Sequence, residues 1–144
     1  MPRILSIDYG KKRTGIAVTD PLQLIANGLA TVSSSALFDH LKAYVEREPV
    51  ELVVVGEPRQ PNGEPSENMA RVQQFVNRWR RAFPTIPIVY YDERFTSVLA
   101  HQAMLESGIG RKARQNKALV DEISATIILR DYLESRRRAS AHIP

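Results

Sequence analysis

The feature that most constrains this chain is a set of apolar runs that each end in an acid. Ile4-Leu5-Ser6-Ile7 leads into Asp8, Leu52-Val53-Val54-Val55 leads through Gly56 into Glu57, and Ile88-Val89-Tyr90-Tyr91 leads into Asp92-Glu93. Short apolar runs rich in β-branched and aromatic residues read as strands. A run without polar alternation, such as residues 52–55, suits a strand covered on both faces, as parallel strands are, and is expected at the centre of a sheet. Ligands of open α/β sheets bind beyond the carboxyl ends of the strands, so acids from three separate parts of the chain can meet in one crevice. Any one of these acids could equally mark a turn; the set is what carries information.

The remaining pattern supplies the other elements. Residues 3–9 and 14–19 read as a hairpin joined through Gly10 and Lys11-Lys12, and residues 25–32 as a third strand in which Asn27-Gly28 marks a bend or bulge. Ser33-Ser34-Ser35 offers N-caps to a helix carrying Leu37, Leu41, Tyr44 and Val45 and stopping before Pro49. Ser66 can cap a helix with Met69, Val72, Phe75, Val76 and Trp79 on one side, so that Phe75 and Trp79 are core residues. After the strand at 88–92, Thr96 can cap a short helix through Leu99, Ala103 and Met104, ended by Gly108. The basic loop GIGRKARQNK then leads to a final helix from about Ala118 to Arg137. An antiparallel start followed by right-handed crossovers predicts an α/β fold, a mixed five-stranded sheet flanked by helices in the ribonuclease-H-like order. A length of 144 residues suits one domain, over 1–138, with a short flexible tail at 139–144.

Composition removes several function classes. Hydrophobic residues make up 43% and charged residues 25%, and no apolar run approaches the roughly 20 residues of a membrane span. The start of the chain passes straight into a strand without the features of a secretory signal, so a soluble cytoplasmic protein is expected. There is no cysteine, and His40, His101 and His142 are scattered, so disulfides, thiolate metal sites and a local zinc motif are excluded. A net charge of +4 favours an anionic partner. The positive residues gather at Lys11-Lys12-Arg13, at Arg78-Trp79-Arg80-Arg81, between Arg111 and Lys117, and at Arg136-Arg137-Arg138. The first and third groups flank the acids, whereas the last reads as a solvated helix end.

Asp121 adds to the set of acids. At 100° per residue it shares a helix face with Ser124, Ala125 and Ile128, which points it inward, while Glu122 falls on the wetter side and reads as surface. An inward carboxylate needs a cation or hydrogen bonds; Lys117, four residues earlier, is the simple structural partner. Inward carboxylates without histidine or cysteine suit Mg²⁺ or Mn²⁺. Two such ions about 4 Å apart can activate water on one side of a phosphodiester and steady the leaving oxygen on the other, so hydrolysis is the natural reaction.

Four segments in order, IDYGKKRTGIAVTD, VVVGEPRQPNGEPSEN, YDERFTSVLA and NKALVDEISATIIL, cover nearly the whole chain and resemble the YqgF family, also called RuvX, of Holliday-junction-resolvase-like nucleases. The resemblance implies a ribonuclease-H-like fold and a catalytic, metal-holding triad of Asp8, Glu93 and Asp121, with Asp92 as the alternative within its dipeptide. It also implies a nucleic-acid substrate, either the 5′ end of precursor 16S ribosomal RNA, with possible ribosome association, or branched DNA. Where the family usually reads Gly-Leu-Pro this chain has Gly56-Glu57-Pro58, so Glu57 is either a fourth ligand or a loop charge. Gly10 and Gly15 allow tight backbone near phosphate, and Lys11, Lys12, Arg13 and Arg94 can contact a nucleic-acid backbone, although Arg13 and Arg94 could instead pair with a nearby carboxylate. Arg111, Lys112, Arg114 and Lys117 sit in a loop suited to binding a strand. Two rivals remain: a noncatalytic RNA- or ribosome-associated factor on the same fold, and an actin-like ATPase or sugar kinase, which shares the DxG turn but needs a second lobe.

Overall fold

The computed structural model describes residues 2–58, 67–92 and 117–141. Five strands, β1 (Arg3–Tyr9), β2 (Arg13–Thr19), β3 (Ala26–Ser33), β4 (Val50–Glu57) and β5 (Ile88–Asp92), form one sheet in the order β3-β2-β1-β4-β5. β1, β2 and β3 pair antiparallel, while β4 joins β1, and β5 joins β4, in parallel. The described helices are α1 (Leu37–Arg47), α2 (Met69–Ala82) and α3 (Lys117–Ala141). This is the mixed sheet of a ribonuclease-H-like fold, and β4 lies inside it with Val53, Val54 and Val55 all fully buried. The short helix expected after Thr96 and the basic loop before α3 lie outside the described residues.

Some local expectations are corrected. The serines after β3 do not cap α1 with their side chains: Ser34–Ala36 forms a 3-10 turn and Ala36 precedes the helix. α2 begins after Asn68, whose side chain caps nothing within the helix, and Ser66 lies outside the described residues. The bulge expected at Asn27-Gly28 falls beside them, where the β2–β3 register jumps from Ile16↔Ala30 to Ala17↔Gly28 and passes over Leu29. α3 continues past Arg137 to Ala141.

The pleat sorts each strand between two cores. Leu5, Ile7, Ile16, Val18, Val53, Val55 and Ile88 face α1 and α2, where they meet Leu37, Leu41, Val72, Val76 and Trp79. Trp79 is fully buried, donates from Nε1 to the Ile86 carbonyl at 2.9 Å, and stacks against Phe83 with ring centroids 4.5 Å apart. The basic run around it serves this core, since the Arg78 guanidinium lies 3.8 Å from the Phe38 ring centre and Arg80 donates to the Ile88 carbonyl. Ile4, Ala17 and Val54 face the opposite way and pack against Ala125, Ile128, Leu129 and Leu133 of α3.

At Ser6, Gly15 and Gly28 the α3 side of the sheet presents small residues, and there the helix approaches very closely. The Ser6 hydroxyl donates to the Ala125 carbonyl at 2.6 Å. A Cβ placed on Gly15 would stand 2.0 Å from the Asp121 carbonyl oxygen, and one on Gly28 would stand 2.5 Å from a Glu122 carboxylate oxygen. Gly15 is therefore required because α3 lies directly on β2, a different reason from the backbone–phosphate approach its motif suggests. Glu122 is half-buried over Gly28, not on an open surface. Replacing Gly15 with Ala must push α3 outward and is expected to cost about 1–3 kcal/mol, the usual range for overpacking. Urea unfolding would read this as a lowered midpoint; an unchanged midpoint would mean that α3 does not rest on β2 at this residue.

Candidate active site

Asp8 lies near the carboxyl end of β1 on the same pleat face as Ile4 and Ser6, which is the face covered by α3. Ser6 meets Ala125, and from there Asp8 is two strand residues onward, about 6.8 Å, while Asp121 is four helix residues back, about 6 Å. The steps match, with the helix antiparallel to the strand. Asp8 also pairs across the hairpin with Gly15, the residue on which the Asp121 backbone rests. The two carboxylate-bearing residues are thus brought together from positions 113 apart (121 − 8).

The backbone that follows Asp8 is held at several points. Asn68 donates from Nδ2 to the Tyr9 carbonyl at 2.7 Å, and a Cβ on Gly10 would stand 2.3 Å from the Arg13 carbonyl oxygen, so the turn itself needs glycine. Ser34 donates from its hydroxyl to the Gly10 carbonyl at 2.6 Å and from its backbone N–H to the Lys12 carbonyl at 2.9 Å. Its hydroxyl also lies 2.8 Å from that of the buried Thr14. Lys11 and Lys12 therefore project, exposed, from a turn whose main chain is fixed.

Arg13, at the start of β2, falls on the same face as Gly15 and Ala17 and reaches Asp121, with Nε 2.9 Å from Oδ2. Their side chains are 40% and 24% exposed, so the pair sits at the rim of the core rather than within it. This realises the ion pair that was one of two alternatives for Arg13, while the side chain of Lys117, the expected structural partner of Asp121, lies outside the described residues. Helical spacing reveals only neighbours on the same helix, and this partner comes from 108 residues away. The contributions of Ser6, Ser34 and Asn68 were also missed. The one signal for Ser6 was a lone hydroxyl inside an apolar strand.

Glu57 and Asp92 are register partners at the ends of β4 and β5, but they lie on the other face. Glu57 alternates with Val53 and Val55, and Asp92 with Ile88 and Tyr90, all of which pack on the α1–α2 side. Burial raises the Tyr90 phenol above its ordinary pKa, with the Arg80 charge lowering it and the Glu57 charge adding to the rise. Glu93, Arg94, Arg111, Lys112 and Arg114 lie outside the described residues, as does the side chain of Lys117, the first residue of α3.

Among the described residues no group of three or more His, Cys, Asp or Glu could by itself hold a metal ion. Of the three acids expected as ligands, Asp8 and Asp121 are among the described residues, and both are half-buried hard oxygen donors. That donor chemistry fits Mg²⁺ or Mn²⁺ and fits a thiophilic metal poorly. No described helix is long and apolar enough to cross a membrane.

Known proteins resemble this chain in sequence and in fold. The sequence profile described as RuvX, Holliday junction resolvase, matches residues 2–135. A protein of Phocaeicola vulgatus named "Putative pre-16S rRNA nuclease" is 64% identical over 95% of this chain and 99% of its own length. One of the same name from Parabacteroides distasonis is 62% identical over 95% and 98%. Among solved structures, Thermus thermophilus RuvC in complex with a Holliday junction substrate superposes with a TM-score of 0.56 at 15% identity, covering 95% of this chain and 96% of that one. The fowlpox virus Holliday junction resolvase gives a TM-score of 0.55 at 14% identity, covering 92% and 99%. At these identities the two structures bear on the fold alone.

The face assignment of the acids has a direct test in Mn²⁺ titration calorimetry. Glu57→Gln is expected to leave Mn²⁺ affinity within about twofold of wild type, and Asp8→Asn to weaken it by about tenfold or more. A large loss in Glu57→Gln would place Glu57 among the ligands.

Proposed function

The chain belongs to the RuvX Holliday junction resolvase family, and from that premise we propose that it is a divalent-metal-dependent nuclease acting on the 5′ end of precursor 16S ribosomal RNA. The observation that carries the proposal is the meeting of Asp8 and Asp121 where α3 rests on Gly15. Asp8, Glu93 and Asp121 would hold one or two Mg²⁺ or Mn²⁺ ions. Glu93 takes the third place in this reading because Asp92 falls with Tyr90 on the opposite face. Bound ions of this kind supply an activated water and charge stabilisation at the leaving oxygen of a phosphodiester.

The rest of the work falls to the chain's own residues. The turn fixed by Ser34 presents Lys11 and Lys12 beside Asp8, where they neutralise phosphates on either side of the bond to be cut. The donors of Arg13 not occupied by Asp121 can take a non-bridging phosphate oxygen. Arg94, Arg111, Lys112, Arg114 and Lys117 extend the basic track, giving affinity that is largely independent of sequence and falls steeply with salt. The RNA substrate is favoured by the names of relatives above 60% identity over 95% of the chain, and such a substrate would be met in the cytoplasm, on the assembling small ribosomal subunit. Residues 1–138 act as a single nuclease domain.

The description of the family favours a second substrate, branched DNA. Incubating the purified protein with a labelled precursor ribosomal RNA fragment and with a four-way DNA junction, in Mn²⁺, Mg²⁺ or chelator, separates the two. Metal-dependent cutting of the RNA is expected, falling to the chelator level in Asp8→Asn and Asp121→Asn. Cutting of the junction alone would select the DNA substrate. Salt-sensitive binding with no cutting of either would establish the noncatalytic RNA-binding alternative.

A further inference from the structure

Arg13 holds Asp121 through a single contact, Nε to Oδ2 at 2.9 Å. A guanidinium has five N–H donors in a fixed fork, so this contact leaves most of the fork free for another acceptor. Asp121 is the only ion-pair partner of Arg13 among the described residues, and the arginine is the more exposed of the two, 40% against 24%. The two partners also differ in what holds them. The Asp121 backbone is seated on Gly15, whereas the arginine reaches it on a long flexible stem from the rim of β2, next to the exposed Lys11-Lys12 turn.

We propose that Arg13 and the divalent metal compete for Asp121, so that metal binding releases the arginine to the phosphate of the substrate. This deepens the nuclease reading and rests on it. A monovalent cation 2.9 Å from a ligand oxygen opposes the arrival of a divalent cation at that carboxylate. Because Asp121 is fixed by its helix, relief comes from movement of the arginine. Once free, its fork matches the planar, bidentate geometry of a phosphate, which a lysine cannot reproduce. Coupling of this kind is reciprocal: a phosphate that draws Arg13 away from Asp121 tightens metal binding by the same factor with which metal tightens phosphate binding. Arg13 is then a positioning residue for the empty carboxylate and a substrate contact for the loaded one.

The test is Mn²⁺ affinity of the full chain without nucleic acid, measured by calorimetry for wild type, Arg13→Gln, Arg13→Lys and Asp8→Asn, with thermal melts to verify folding. Arg13→Gln removes the competing charge and is expected to bind Mn²⁺ about tenfold more tightly, the scale of a charge–charge interaction near a wet surface. Arg13→Lys keeps the charge and is expected to stay near wild type, which separates loss of the charge from loss of the guanidinium. If Arg13 merely props Asp121 in place, Arg13→Gln binds Mn²⁺ equally or more weakly while wild type still binds it and Asp8→Asn does not; that result overturns the competition alone. Wild type that binds no Mn²⁺ sensitive to Asp8→Asn overturns the metal reading of the site, and the competition with it.

Discussion

The backbone carbonyl of Asp121 occupies the space that a side chain at position 15 would need, and the position of the helix against the sheet follows from that contact. α3 lies across a face that presents the small residues Ser6, Gly15, Ala17 and Gly28 beside Ile4 and Val54, and is tied to β1 through the Ser6–Ala125 hydrogen bond. Close packing transmits position rigidly. Because the rise of two strand residues nearly equals that of one helical turn, fixing Ala125 over Ser6 also fixes Asp121 beside Asp8. The site is therefore built by the same contacts that attach the helix.

Bringing two carboxylates near each other at the edge of a core has an electrostatic cost, because like charges repel and both lose water. Several features of the sequence offset it. Arg13 answers Asp121 directly, and Lys11-Lys12 place further positive charge on the adjoining turn. Glu57 and Asp92, which would add to the repulsion, sit across the sheet with the Tyr90 side of the other core. Positive charge from Lys11, Lys12 and Arg13 thus lies close to the two acids, while Arg78 and Arg80 serve the packing of α2.

The sheet was legible in the sequence because its signal is local. Uninterrupted apolar runs marked the strands at 52–55 and 88–91, the first of them buried on both faces, the turn through Gly10 and Lys11-Lys12 marked a hairpin, and helical spacing identified Phe75 and Trp79 as core. Asp121 could be called inward for the same reason. What remained hidden depends on contacts between distant segments: the Arg13 partner of Asp121, the seat of α3 on Gly15, and the burial of Glu122 over Gly28. A glycine looks the same in a sequence whether it admits a phosphate, a turn or a helix. The face that Glu57 takes likewise depends on strand register, since a shift of one residue exchanges the two faces.

Locating Mn²⁺ by anomalous scattering in crystals of the loaded protein tests the central claim most directly, that Asp8 and Asp121 form one metal centre. The account predicts a peak shared by both carboxylates at roughly 2.1 Å, the distance of hard oxygen ligands to a small dication, with Glu93 completing the shell and Arg13 turned away from Asp121. A peak held by Glu57 or Asp92 on the opposite face, or none between Asp8 and Asp121 at saturating Mn²⁺, would contradict it.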